Sequence, residues 1–223
     1  MTGAASCSKR WRINSVGEPN TTSAWTAPAN CRGLIFDCDG TLADTMPAHY
    51  LSWSQMLSLH GLTFSQQQFY QLAGIPTEGI IRRLAREQAV LLQDEAQMVR
   101  EKERLYLLQL QQVVPIKSVV QIAADYRGKL PLAVASGGQR QVVHQTLEFL
   151  GVLDWFDAIV CAEDTSRHKP EPDVFLEAAR RIGVAPELCV GFEDAELGLT
   201  ALRRAGMQAI DVRPWYQSQD PYV

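Results

Sequence analysis

Hydrophobic and polar residues follow two different rhythms along most of this chain. Five short runs are apolar at nearly every position, which is typical of strands that are buried on both faces of a sheet. These runs are RGLIF (32–36), PLAVAS (131–136), AIVCA (158–162), LCVGF (188–192) and MQAIDV (207–212). The pattern therefore predicts five core strands.

Segments with the periodicity of an amphipathic helix precede each of the last four strands. They cover 118–127, 139–150, 173–182 and 195–205, and each is followed by a glycine. Glycine is the residue that most often ends a helix. Because strands that alternate with helices form parallel sheets covered on both faces, we predict an α/β fold with a Rossmann-like parallel sheet at its core.

Residues 46–114 interrupt this alternation, because they contain only helical patterns. Those patterns cover 47–60, 66–73, 77–90 and 94–112. Residues 1–30 differ again, since they are rich in Ser, Thr, Asn, Pro and Gly and have no apolar periodicity. The predicted organisation is a disordered or irregular N-terminal tail (1–30), an α/β core (31–45 and 115–223) and a helical insertion (46–114).

Composition and charge exclude several classes of partner. With 46% hydrophobic residues in 223, the chain is long enough for a well-buried core. The formal charge is −4, and lysines and arginines are spread along the chain, so neither nucleic acid nor a membrane is an expected partner. The five cysteines form no C-x-x-C pair, which favours a reduced, cytoplasmic setting over a disulfide framework. No pattern indicates an oligomeric state.

Two aspartates follow the first predicted strand in the segment LIFDCDGTLADT (34–45). Side chains two apart on an extended segment share a face, so Asp37 and Asp39 project together from the strand end where open parallel sheets bind ligands. Adjacent carboxylates repel each other, and a divalent cation relieves the repulsion; oxygen ligands suit Mg²⁺ better than zinc. The alternative is a solvated loop whose aspartates cap the next helix.

Polar side chains also follow the other strands. Ser136, Gly137 and Gly138 offer a hydroxyl and backbone N–H groups to an anion at a helix start. Lys169 follows the third strand and can reach a phosphate oxygen as a point charge. The pair Glu193 and Asp194 ends the fourth strand, where carboxylates also cap helices. Taken singly, the alternatives are a plain turn, a solvated lysine and a helix cap.

Four segments in a fixed order carry a family resemblance. DCDGT (37–41), ASG (135–137), HKP (168–170) and GFEDA (191–195) together resemble the haloacid dehalogenase-like phosphatase superfamily, and the match covers 32 to about 212. Within it, the helical insertion with ADTMPAHYLSW (43–53) resembles the beta-phosphoglucomutase-like branch. The segment 194–213 is most similar to the bacterial fructose-1-phosphatase and 6-phosphogluconate phosphatase type.

The resemblance implies roles for the acidic residues. Asp37 would be the nucleophile that forms an aspartyl-phosphate. Asp39 would protonate the leaving sugar oxygen and then accept a proton from the attacking water. The implied Mg²⁺ ligands are Asp37, the main-chain carbonyl of Asp39, and Asp194, with Glu193 in or near the metal shell.

The resemblance also assigns phosphate-binding and cap residues. Ser136, the amides of Gly137 and Gly138, and Lys169 would hold the transferring phosphate. The insertion would be a cap that closes over the sheet edge and selects the substrate. Matching family positions that face the site are Thr45, His49, Trp53 and Lys102. The alternatives are a helix-start hydroxyl, a surface histidine, a core tryptophan and a solvated lysine.

One departure from the family bears on the reaction type. A mutase of this branch is expected to carry an arginine for a second phosphate in the loop GIPTEG (74–79), where this chain has Thr77. A phosphoenzyme without that contact is more easily lost to water, so hydrolysis is favoured. Arg82 or Arg83 could substitute from the next turn, which keeps a phosphosugar mutase as an alternative.

A phosphatase is therefore the predicted function. We expect Mg²⁺-dependent hydrolysis of a small phosphorylated metabolite, a sugar phosphate of the fructose 1-phosphate or 6-phosphogluconate type. A non-catalytic module that binds phosphate or a cation is a further alternative. A calcium loop is disfavoured because Ala48 stands where the bidentate glutamate belongs. A haloacid dehalogenase is disfavoured because Asp39 is retained for an oxygen leaving group.

Overall fold

A computed structural model describes residues 25–72 and 75–215 of the chain. Most of the predicted tail (1–24), Gly74 of the cap loop and the last eight residues of the predicted core (216–223) lie outside the described residues. The strands in chain order are β1 (Gly33–Phe36), β2 (Ala43–Asp44), β3 (Val114–Pro115), β4 (Leu132–Ala135), β5 (Ala158–Val160), β6 (Cys189–Glu193) and β7 (Gln208–Asp211).

Five of these strands form one parallel sheet in the order β5-β4-β1-β6-β7. β1 is central, and its Phe36 is paired in register with Val134 of β4 and Phe192 of β6. The strand order reverses at β1, and a crevice at the carboxyl ends of the strands is where such sheets bind ligands. The predicted α/β fold with a parallel sheet is confirmed.

Helices cover both faces of this sheet. They are α5 (Lys117–Tyr126), α6 (Arg140–Leu150), α7 (Asp173–Arg181) and α8 (Glu196–Arg204). Successive side chains of β1 point to opposite faces. Accordingly, Ile35 packs in a buried cluster with Phe175 of α7 and Leu202 of α8, whereas Phe36 packs in a second cluster with Val119 of α5 and Leu147 of α6.

The segment after β1 and β2 is helical and has a hydrophobic cluster of its own. Its helices are α1 (Met46–Leu59), α2 (Gln66–Gln71), α3 (Thr77–Glu87) and α4 (Glu95–Leu108). Ser65 begins α2 with a capping box that Gln68 completes, and the side chain of Asp94 caps α4. The buried faces meet around Trp53, Leu57 and other apolar residues. None of the helices described for 25–72 and 75–215 is long and apolar enough to cross a membrane.

The periodicity did not predict β2 and β3. Ala43 pairs with Pro115 and Asp44 with Val114 in an antiparallel ribbon, which ties together the two chain segments that connect the helices to the sheet. Two-residue strands are too short to show an alternating pattern, so this connection has no sequence signal of the kind used for the core strands.

Candidate active site

The carboxyl edge of the parallel sheet and helices α1, α3 and α4 enclose a cavity of about 420 Å³. This volume is within the usual range for small-molecule sites. The predicted site residues that line it are Asp37, Asp39, His49, Thr77, Lys102, Ser136, Gly137, Gly138, Lys169, Glu193 and Asp194. Thr45 does not line the cavity; it is fully buried at the start of α1, where its side chain interacts with the carboxylate of Asp39.

A buried lysine lies between two carboxylates at the centre of the sheet edge. Nζ of Lys169 is 2.6 Å from Oδ1 of Asp37 and 2.6 Å from Oε1 of Glu193. Burial lowers the pKa of Lys169, but the two carboxylates outweigh burial and raise the pKa above its usual range. Lys169 is therefore held charged, and it fixes the orientation of the Asp37 carboxylate.

Three acids meet at this point. One oxygen each of Asp37, Glu193 and Asp194 lies within 4.8 Å of the others. Burial raises the pKa of Asp37 to about 7; Lys169 opposes this change, and the charges of Glu193 and Asp39 add to it. Burial, followed by the charges of Glu193 and Asp37, also raises the pKa of Asp194 well above its usual range. A divalent cation would relieve this repulsion, so the donor set fits one.

Neighbouring backbone positions leave room for these acids. Gly40 has a φ of +80°, and a Cβ at this position would collide with the carboxylate of Asp194. Oγ1 of Thr41 donates a hydrogen bond to Oδ1 of Asp194 at 3.3 Å. Glu193 accepts from Lys169 through Oε1 and from the N–H of Ala195, at 2.6 Å, through Oε2. Both oxygens of Glu193 are therefore engaged by the protein.

Asp39 has a different environment from Asp37. Its Oδ1 is 3.2 Å from Nε2 of His49, and Nδ1 of His49 is 3.0 Å from Nζ of Lys102. Burial raises the pKa of Asp39, but the contact with His49, the side chain of Thr45 and the charge of Lys102 together outweigh burial and lower the pKa to about 2. The side chain of Asp39 is not among the three clustered acids. Only its main-chain carbonyl is left as the metal ligand that the resemblance implies.

His49 is held in one orientation. Its ring stacks on Tyr106 with centroids 4.0 Å apart. Burial, followed by the charge of Lys102, lowers the pKa of His49. A neutral His49 accepts a hydrogen bond from the ammonium of Lys102 at Nδ1 and therefore carries its proton on Nε2, which faces Asp39.

The loop after β4 offers donors to an anion. Ser136 is buried, and its Oγ accepts from the N–H of Gly138 at 3.0 Å. A Cβ at Gly138 would lie 3.0 Å from Cγ2 of Val143 and 3.2 Å from Oγ of Ser136, so a larger residue here would crowd the loop. The following helix α6 begins at Arg140, directly after the loop, and the N–H of Arg140 already donates to the carboxylate of Glu163, as expected of a helix start that favours anionic groups.

The sequence interpretation missed one buried charged residue of the cavity wall. Glu103 is only 8% exposed; both of its oxygens are 3.2 Å from Nζ of Lys102, and Oε1 also accepts from Oγ1 of Thr77 at 3.3 Å. It lies in the highly charged stretch REKER (100–104), where polar residues on a helix usually face water. No sequence signal distinguished it from its exposed neighbours.

Arg82 and Arg83, the suggested substitutes for the mutase arginine, do not line the cavity. Arg82 forms a bidentate ion pair with Glu95 at 2.7 Å, and Arg83 pairs with Glu87 at 2.8 Å. Both side chains are more than half exposed. The idea that either one supplies the missing cation from the next turn is not supported by their positions.

Comparisons with known proteins show the family of this chain. A family model described as haloacid dehalogenase-like hydrolase matches residues 31–206. The fructose-1-phosphate phosphatase YqaB of Escherichia coli is 40% identical over 81% of this chain and 96% of its own length. The beta-phosphoglucomutase of Bacillus subtilis is 27% identical over 81% of this chain and 83% of its own. A crystal structure of CbbY from Rhodobacter sphaeroides in complex with phosphate has a TM-score of 0.75 at 24% identity, covering 81% and 85% of the two chains.

Proposed function

The chain belongs to the haloacid dehalogenase-like hydrolases and is a phosphatase, and from that premise we propose that it hydrolyses a sugar phosphate through an aspartyl-phosphate on Asp37. The observation that carries this proposal is the buried contact of Asp37 with Lys169 at the carboxyl end of the central strand. There the carboxylate is fixed beside a permanent positive charge, in the cavity that the fold offers to a ligand.

In the first step an oxygen of Asp37 attacks phosphorus and the bond from phosphorus to the sugar oxygen breaks. Ser136, the N–H groups of the following glycines and Lys169 surround the place where the phosphoryl oxygens would lie. The ammonium of Lys169 stabilises charge on those oxygens. In the second step water attacks the phosphorus and frees Asp37.

Asp39 is placed to move protons at the leaving oxygen. With a pKa of about 2, its carboxylate is ionised in the free protein, which suits acceptance of a proton from water in the second step. The first step needs a protonated Asp39, and a phosphate dianion bound beside it raises its pKa in that direction. His49 holds the carboxylate in place through its Nε2–H.

A divalent cation is the cofactor that we assign to the acidic cluster, and Mg²⁺ is the ion that its oxygen donors suit best. Asp37, Asp194 and the main-chain carbonyl of Asp39 would hold it, with Glu193 next to the shell. The bound ion would neutralise charge on the phosphoryl oxygens. Glu193 keeps Lys169 in place, since its own oxygens are engaged by Lys169 and the backbone.

Residues 46–114 act in this proposal as a cap on the α/β core. Helices α1, α3 and α4 form the wall of the cavity opposite the sheet edge, where they can exclude water and contact the sugar. Thr77 stands on this wall, donates to the carboxylate of Glu103 and carries no positive charge of its own. Hydrolysis is therefore favoured over the mutase reaction, which must retain a second phosphate.

Phosphate release by the purified protein tests the proposal. The substrates are fructose 1-phosphate, 6-phosphogluconate, other hexose and pentose phosphates, and beta-glucose 1-phosphate with a bisphosphate primer, each with Mg²⁺ and with chelator. We expect release from a sugar phosphate that requires the metal. Conversion of beta-glucose 1-phosphate to its 6-phosphate with little release would overturn the proposal in favour of the mutase. Silence across all substrates would favour a binding module.

A further inference from the structure

The leaving group of a phosphatase substrate occupies a definable part of this cavity. If the phosphoryl group lies at Asp37, the leaving oxygen faces Asp39, whose carboxylate contacts His49 of α1. The rest of the leaving group then extends toward the wall that the helices of residues 46–114 contribute. The chemistry of this wall determines which leaving groups are bound.

Most of this wall is apolar. Its apolar members include Met46, Trp53, Phe69, Leu72, Ile75 and Ile80. Within the described part of the chain, its formally charged members are Glu78, Lys102 and Glu103. Two carboxylates therefore face one ammonium on the leaving-group side.

The ammonium of Lys102 is already neutralised. It is buried, with Nζ 3.2 Å from both oxygens of Glu103 and 3.0 Å from Nδ1 of His49. To bind an anionic leaving group, Lys102 would have to give up this pair and leave Glu103 buried without a counter-ion. Such a separation is unfavourable because an unpaired buried charge is costly.

Glu103 has acceptor capacity left over. A carboxylate offers about four lone-pair sites. In Glu103, Lys102 occupies one site on each oxygen, and the hydroxyl of Thr77 occupies a further site on Oε1. Because Glu103 lines the cavity, a sugar hydroxyl can donate to the one site that remains. An ionised phosphate or carboxylate at the same place has no such hydrogen bond to offer and instead brings its oxygens against those of Glu103.

We propose that Glu103, supported by Glu78, is a specificity-determining residue that makes the cavity select neutral polyhydroxyl leaving groups and reject those that carry a carboxylate or a second phosphate. This inference rests on the proposed phosphatase function and narrows its substrate class. It selects fructose 1-phosphate over 6-phosphogluconate and over hexose bisphosphates.

The test compares kcat/KM of the full-length protein for fructose 1-phosphate, 6-phosphogluconate and fructose 1,6-bisphosphate. The variants are Glu103→Gln and Glu78→Gln, which remove a charge and keep the shape. We expect Glu103→Gln to raise the ratio of kcat/KM for either anionic substrate to kcat/KM for fructose 1-phosphate by at least about tenfold. The reason is that the variant removes one negative charge that repels the anionic substrates at a partly buried site. The ratio within each variant cancels any general loss caused by disturbance of Lys102 or His49.

Glu78→Gln is expected to change the ratio in the same direction by a smaller factor, and it keeps the inference testable should Glu103→Gln fail to fold. Glu101→Gln is the matched control, since Glu101 lies on the same helix, pairs with Arg104 outside the cavity and should leave the ratio unchanged. An unchanged ratio in the folded Glu103 variant would overturn the inference and leave the phosphatase standing. A wild-type protein that prefers 6-phosphogluconate or fructose 1,6-bisphosphate to fructose 1-phosphate would also overturn the inference and leave the phosphatase standing. If the wild type releases phosphate from none of these three but does so from another sugar phosphate, the inference alone is overturned; silence across all the sugar phosphates named above would overturn both proposals.

Discussion

Nε2 of His49, on the first helix of the insertion, lies 3.2 Å from Oδ1 of Asp39, in the loop after the central strand. The contact joins residues 46–114 to the α/β core at Asp39, the carboxylate that we assign to proton transfer. The charge of Lys102, from α4, reaches the same group. The protonation of Asp39 therefore depends on the position of these helices, and any movement that separates His49 from Asp39 raises the pKa of Asp39.

Replacement of His49 should change the pH dependence of turnover. His49→Asn removes a group that stabilises ionised Asp39, so the pKa of Asp39 rises from about 2 toward its ordinary value. We expect kcat to fall by about a hundredfold. The acidic limb of the pH profile of kcat should move to higher pH.

His144→Asn is the control for this variant, because His144 lies on α6 and does not line the cavity. Its pH profile should match that of the wild type. If His49→Asn lowers kcat but leaves the acidic limb in place, His49 acts only in packing and its assigned effect on Asp39 is wrong.

Loss of the buried lysine should destabilise the fold as well as stop turnover. Lys169→Met leaves Asp37 and Glu193 buried without their counter-ion, and breaking such a pair costs about 3–5 kcal/mol. Urea unfolding at neutral pH with chelator measures this cost. The double variant Lys169→Met with Glu193→Gln should recover part of it, since one of the two unpaired charges is gone.

Lys129→Met provides the comparison, because Lys129 is exposed and precedes the amino end of β4, opposite the carboxyl edge that carries the site. It should change the free energy of unfolding by less than about 0.5 kcal/mol. Equal stability of the two lysine variants would show that the ion pairs of Lys169 contribute nothing measurable.

The core strands were predictable because each is apolar at nearly every position, a pattern that burial on both faces imposes. The order of polar side chains at their ends was predictable for the same reason, since parallel strands end at one edge. The ribbon of Ala43–Asp44 with Val114–Pro115 could not be predicted, because a strand of two residues is too short to show an alternating pattern. The burial of Glu103 could not be predicted either, because it depends on a long-range contact between α4 and Thr77.

The environment of Lys102 also could not be predicted from its sequence neighbours. Its sequence neighbours favour a solvated lysine about as strongly as a functional one, and the fold decides by burying it against His49 and Glu103. A cation within 6 Å of Trp53 and Tyr106 also gains from their ring faces. Sequence periodicity does not contain any of these contacts.

Asp37→Asn should abolish turnover and keep the fold. The amide cannot form the acyl-phosphate, so phosphate release should fall by about a thousandfold or more. The thermal midpoint in chelator should equal or exceed that of the wild type, because one of the two carboxylates on Lys169 is removed and Glu193 still pairs with it. Asp125→Asn, on the exposed side of α5, is the matched control and should retain full activity. Modest metal-dependent activity in Asp37→Asn would show that Asp37 is not the nucleophile.

The acidic cluster should make metal stabilisation depend on pH. The pKa of Asp37 is raised to about 7 by burial, and that of Asp194 is raised as well, so between about pH 4 and pH 7 the folded protein binds more protons than the unfolded chain at these groups. The free energy of unfolding without metal therefore falls as pH rises through this window. Mg²⁺ binds the ionised carboxylates, so it must compete with protons at low pH.

Thermal unfolding with Mg²⁺ and with chelator, at about pH 5.5 and about pH 8, measures this linkage. We expect the midpoint to rise with Mg²⁺ far more at the higher pH, where Mg²⁺ at about a hundred times its Kd stabilises by about 2.7 kcal/mol. Asp37→Asn should lose most of this rise, whereas Asp125→Asn should keep it. An equal rise at both pH values, or a full rise in Asp37→Asn, would place the cation away from Asp37, because only a site that includes this carboxylate must displace its proton.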